Sequence, residues 1–63
     1  MGLKELRRER GLTQFQLAKL SGVNSRQIQR VENGESEMGN VTLKNALALA
    51  KALGVAVEDL MDK

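Results

Sequence analysis

Apolar residues recur along this chain mostly at three- and four-residue intervals, the spacing of helices with one buried side. The pattern is clearest between Gln14 and Asn33, where two short helices are predicted around a tight turn. Thr13 is a good N-cap, Gln16 three residues on can close a capping box, and Leu12 can staple onto Leu17. The same grammar recurs eleven residues later: Asn24 caps, Gln27 closes the box, and Val23 staples onto Ile28. Between the two lies Ser21-Gly22-Val23, where Gly22 supplies the left-handed residue that ends one helix and turns the chain. The stretch reads as a helix-turn-helix.

Four further segments complete an all-α expectation. Leu3 to Arg10 forms a first helix stopped by Gly11, with Leu3, Leu6, Arg7 and Arg10 on one side. The second helix, 13–20, buries Leu17, Ala18 and Leu20, and Ala18 is small enough for a close helix crossing. The third, 24–33, is followed by a polar loop over 35–41 without periodicity. Thr42 caps a fourth helix that runs to Leu53 and stops at Gly54, with Leu43, Ala46, Leu47, Ala50 and Leu53 inward and Lys44 and Lys51 outward. A short fifth helix over 57–62 ends the chain, and Ala56 stands where a capping hydroxyl is expected. The 63 residues therefore read as one domain.

The third helix has two unlike sides. Ile28 and Val31, with Glu32 beside them, face inward. Arg26, Gln29, Arg30 and Asn33 fall at i, i+3, i+4 and i+7 and make one polar stripe. Long hydrogen-bonding side chains on a helix offered by a sharp turn suit the major groove of DNA; a merely solvated face is the plain alternative. Arg7 and Glu32 both point at least partly inward, and either one buried alone costs several kcal/mol, roughly. An Arg7–Glu32 ion pair is expected, against the alternative that both side chains reach out to water. Phe15, the only aromatic residue, reads as a ring at the edge of the core or, alternatively, as a contact for a partner or for DNA.

Composition narrows the function. Cysteine, histidine, tryptophan, tyrosine and proline are all absent, so no disulfide, thiolate or imidazole metal site supplements a core near the lower size limit for unaided folding. No nucleophile–base pair is available either, and Ser21, Ser25 and Ser36 lack an activating partner, which argues against an enzyme. Ten basic and eight acidic residues give a net charge of +2. The charges between Gln14 and Glu32 are Lys19, Arg26, Arg30 and that final acid, while Glu58, Asp59 and Asp62 crowd the C-terminus. One face is thus offered to a polyanion and another turned away. With no signal peptide or membrane span, a cytoplasmic protein is expected.

The chain resembles the Cro and phage-repressor type of helix-turn-helix domain, in its five-helix lambda-repressor-like form. The resemblance rests on LKELRRERGLTQ, QLAKLSGV, the I-x-x-V-E-N-G run from Ile28 to Gly34, and TLKNALALAKALGV. It implies a five-helix bundle whose third helix lies in the major groove while the second crosses the backbone. It also implies Gln14, Asn24 and Asn33 as backbone contacts, and Ser25, Arg26 and Gln29 as base readers. Arg30 would serve bases or phosphates, and Arg7 and Glu32 a structural ion pair. Arg26 is the residue expected to read guanine through O6 and N7. The loop after Gly34 is longer than usual and carries Glu35 and Glu37 where relatives often have basic residues. Near the DNA backbone these acids weaken binding; facing away they are only solvated. The chain stops almost with its fifth helix, through which many relatives dimerise, so a monomer or weak homodimer is expected.

The expected function is sequence-specific binding of double-stranded DNA without cofactor, metal or small-molecule substrate, as a transcriptional regulator of repressor type or an engineered minimal binder. The competing reading is a protein-interaction module, antitoxin-like or adaptor-like, using Phe15, the acidic loop or the fifth helix.

Overall fold

A computed structural model describes residues 2–61. Five α-helices follow one another: α1 (Leu3–Glu9), α2 (Gln14–Ser21), α3 (Ser25–Glu32), α4 (Leu43–Leu53) and α5 (Val57–Met61). A single 3₁₀ turn at Met38–Asn40 interrupts the α3–α4 connection, and no strand occurs among the described residues. Asp62, the expected end of the last helix, lies outside the described residues.

Local chemistry writes most of the boundaries. Thr13 Oγ1 accepts the Gln16 amide at 3.0 Å while Gln16 Oε1 accepts the Thr13 amide at 2.9 Å, a reciprocal box that fixes the start of α2. Thr42 Oγ1 accepts the Asn45 amide at the start of α4. Ala56 has no hydroxyl to offer, and α5 is held from the other direction: the Ala56 amide donates to Asp59 Oδ2 at 3.2 Å. Gly22, at φ 77°, ends α2 with its amide on the Ala18 carbonyl at 2.8 Å. Ser21 Oγ donates to the Leu17 carbonyl and accepts the Val23 amide, so this hydroxyl braces the turn.

The second capping box differs from expectation. Asn24 Oδ1 accepts the Arg26 amide at 2.8 Å, one residue earlier than a box requires. The Gln27 carboxamide is engaged elsewhere, its Oε1 accepting from Asn45 Nδ2 at 3.0 Å across to α4. Gln27 thus ties two helices together instead of closing its own.

All five helices and the 3₁₀ turn converge on one core: Leu3, Leu6, Leu17, Val23, Ile28, Met38, Val41, Ala46, Leu49, Ala50, Leu53 and Leu60. Leu17, Ile28, Leu49 and Leu53 are completely enclosed. Three expectations are corrected here. Leu20 is 63% exposed, because the side of α2 centred on Leu17 continues to Ser21. Leu43 and Leu47 are exposed, and Leu49 takes the inward position on α4. Ala46, Leu49, Ala50 and Leu53 also fall at i, i+3, i+4 and i+7, so a helix this rich in Leu and Ala carries two overlapping stripes. Finally, residues 35–41 are not a bare loop: Met38 and Val41 anchor them in the core.

This assignment separates two leucines by their mutational cost. Leu49→Ala should lose about 2–5 kcal/mol in urea unfolding through transfer and cavity effects, whereas Leu43→Ala should stay within about 0.5 kcal/mol of the parent. Equal losses at both sites would contradict the packing.

Candidate nucleic-acid interface

The orientation of α3 is set from its inward side. Ile28 is fully enclosed, Val31 is half-buried against the core, and the Glu32 side chain is 1% exposed. Glu32 meets Arg7 of α1 in a two-pronged pair: Arg7 Nε donates to Oε2 at 2.7 Å and Nη2 to Oε1 at 3.0 Å. Gln14 Nε2 also donates to Glu32 Oε1, at 2.9 Å. Arg7 Nη1 donates to the Leu12 carbonyl at 2.6 Å. Four hydrogen bonds thus join α1, the α1–α2 turn, the start of α2 and the end of α3. Among the described residues, no buried side-chain nitrogen or oxygen lacks a partner.

Electrostatics follow the same geometry. Burial pushes the Glu32 carboxyl upward, but hydrogen bonds from Arg7 and Gln14 and the Arg7 charge outweigh it and hold the carboxyl below its ordinary value. The hydrogen bond to Glu32 raises the Arg7 guanidinium further, against an opposing push from burial. A carboxylate with a depressed folded value contributes stability above its unfolded pKa, and that contribution fades as pH falls through the folded value.

The opposite side of α3 faces outward. Arg26, Gln29, Arg30 and Asn33 are all exposed, and Ser25 is half-buried at the first turn. Asn24, Arg26, Gln27, Arg30, Glu35 and Ser36 line an open concavity of about 580 Å³. Asn24, Arg26 and Arg30 are thereby brought together, while Gln29 and Asn33 stand outside this concavity. Gln14 lies apart from them, one of its amide hydrogens committed to Glu32. Among the described residues its second hydrogen and the Asn24 side-chain NH₂ have no partner, so both can donate to a ligand.

Several contributors were not anticipated from the sequence. Gln27, on the lining of the concavity, is held to α4 by Asn45, Ser36 also lines it, and Arg10 Nε donates to the Leu53 carbonyl at 2.7 Å, fastening α1 to the end of α4. For Arg10 the signal was present, since it shares a side with Leu3 and Leu6. For Gln27 there was none, because a capping box and a cross-helix bond call for the same residue type. Phe15 is 67% exposed, with Lys19 Nζ 5.7 Å from its ring centroid, one helical turn on. Among the described residues no group of histidines, cysteines or carboxylates could hold a metal, and no helix is long and apolar enough to cross a membrane.

Removing either partner of the central pair strands a desolvated charge, which costs about 3–5 kcal/mol, against a total of roughly 3–9 kcal/mol for a chain of this length. Glu32→Ala and Arg7→Ala should therefore each remove roughly a third or more of the total stability and melt far below the parent. Arg7→Met/Glu32→Leu should recover much of the loss. The parent's stability should hold steady through neutral pH and decline in urea titrations taken below about pH 4. Additive single and double losses, or a flat acid limb, would remove the pair from this role.

Comparison with known proteins agrees with this architecture. The helix-turn-helix family pattern matches residues 3–60. Over 62 residues the chain is 45% identical to the HTH-type transcriptional repressor RghR of Bacillus subtilis (strain 168), covering 97% of this chain and 44% of that protein. The chain therefore spans less than half the length of the relative it matches. No solved structure matches it significantly. An all-helical bundle with this turn, matched over nearly its whole length, belongs to the helix-turn-helix family.

Proposed function

We propose that residues 1–63 act as one domain that binds double-stranded DNA in a sequence-specific manner, with α3 in the major groove, as a transcriptional regulator of repressor type. The observation that carries the reading is the two-sided character of α3. One side is locked into the core and the Arg7–Glu32 pair, and the other offers Arg26, Gln29, Arg30 and Asn33 to solvent. The helix-turn-helix match and a relative named as a transcriptional repressor support the same assignment. No catalytic step and no cofactor enter this reading, and the cytoplasm, where bacterial DNA resides, is the compartment it requires.

In the proposed complex Ser25, Arg26 and Gln29 address base edges, and Arg26 reads guanine through O6 and N7. Arg30 serves a base or a phosphate. Gln14, Asn24 and Asn33 hold the sugar–phosphate backbone, Gln14 and Asn24 assisted by the unpaired amides at the starts of α2 and α3. A protein-interaction module is the second reading, favoured by one observation: Phe15, Leu20, Leu43 and Leu47 are large, apolar and exposed.

Two variants divide the proposed roles, both measured on a selected duplex and on single-base variants of it at fixed salt. Arg26→Ala should lose about 1–3 kcal/mol on the preferred duplex and relax discrimination at one base position. Asn33→Ala should weaken every sequence by a similar factor. Gln14→Ala serves less well, because it also strips a hydrogen bond from Glu32. If the parent's affinity for duplex DNA is negligible and insensitive to salt, the protein-interaction reading takes over.

A further inference from the structure

We infer that Glu35 is an electrostatic brake on the DNA-facing concavity, setting how tightly and how salt-sensitively the domain binds any duplex; the inference rests on the DNA-binding reading above. Glu35 shares this open space of about 580 Å³ with Arg26 and Arg30.

Two observations fix the backbone that carries the carboxylate there. The chain reverses at Gly34, whose φ is 80°. The amides of Glu35 and Ser36 then both donate to the Arg30 carbonyl, at 2.9 and 3.1 Å. The backbone that carries the carboxylate is thus tethered to the end of the helix that carries the guanidiniums. Among the described residues Glu35 has no ion-pair or hydrogen-bond partner for its side chain, so its charge is not cancelled within the chain.

Local structure gives no reason for an acid at this point. A negative charge just past a helix C-terminus is opposed by the helix dipole. A phosphate drawn into the concavity by Arg26 or Arg30 meets the Glu35 carboxylate on the same lining and is repelled, less so as salt screens the charge. The repulsion acts on the backbone charge that every duplex shares, so it lowers affinity without altering base preference.

The test compares Glu35→Gln with Glu58→Gln, an identical change of net charge on α5, by fluorescence anisotropy on a preferred duplex and a shuffled one across a salt series. Glu35→Gln should tighten both duplexes by a common factor of roughly two to five. The salt dependence should steepen, by at most about one unit of slope, while Glu58→Gln stays close to the parent. Indistinguishable effects of the two variants, with the parent binding DNA normally, would overturn the brake alone. So would a loss of affinity confined to one base position, which would make Glu35 a reader of the cytosine amino group. A parent with no salt-dependent DNA binding overturns the underlying reading as well.

Discussion

A guanidinium and a carboxylate, almost fully withdrawn from water, hold the working helix of this domain at its angle. Arg7 and Glu32 are 25 residues apart, and their double contact fastens the far end of α3 to α1. Such a pair is a poor source of net stability, because desolvation consumes most of the attraction between the charges. Its value is directional. The forked guanidinium accepts only a narrow range of carboxylate positions, and Gln14 and the Leu12 carbonyl each add one further hydrogen bond to the pair. Apolar contacts through Ile28 alone would allow α3 to roll and slide, since burial has no preferred direction.

Net stability comes from elsewhere. Leu17, Ile28, Leu49 and Leu53 are enclosed, each contributing about 1.5–3 kcal/mol relative to exposure. Short helices of seven or eight residues are not stable in isolation, so α1, α2 and α3 depend on this burial and on their caps. The Thr13–Gln16 box and the Ser21 brace hold α2 at both ends, which fixes the turn and thereby the direction in which α3 leaves it. The Gln27–Asn45 and Arg10–Leu53 bonds tie α3 and α1 to α4, so the scaffold behind the outward stripe is cross-linked by polar contacts as well as packed.

The sequence made the helix-turn-helix legible because its signals are local. Caps, staples and a left-handed glycine act within five residues, and the α2 box and the Gly22 turn stand where those signals put them. The Arg7–Glu32 pair was also readable, because two inward charges of opposite sign admit few arrangements. Rotation about a helix axis was harder to read. On α4 an alternating Leu-Ala pattern permits two stripes, and only the neighbouring helices decide that Leu49 goes in and Leu47 stays out. Gln27 shows the same limit, since its preference for Asn45 over its own helix start depends on where α4 lies. In the 35–41 connection, Met38 and Val41 were the available clue, and the polar residues around them concealed a buried anchor.

The geometry of α3 predicts a footprint. Backbone amide shifts recorded by NMR during titration with a preferred duplex test it most directly. The largest changes should cluster on Ser25, Arg26, Gln29, Arg30 and Asn33, with the starts of α2 and α3 and with Glu35 and Ser36. The outer side of α4 around Leu43 and Leu47 should remain still. Changes concentrated on Leu20, Leu43 and Leu47, with α3 unmoved, would contradict the claim that the helix held by Arg7 and Glu32 is the part that meets DNA.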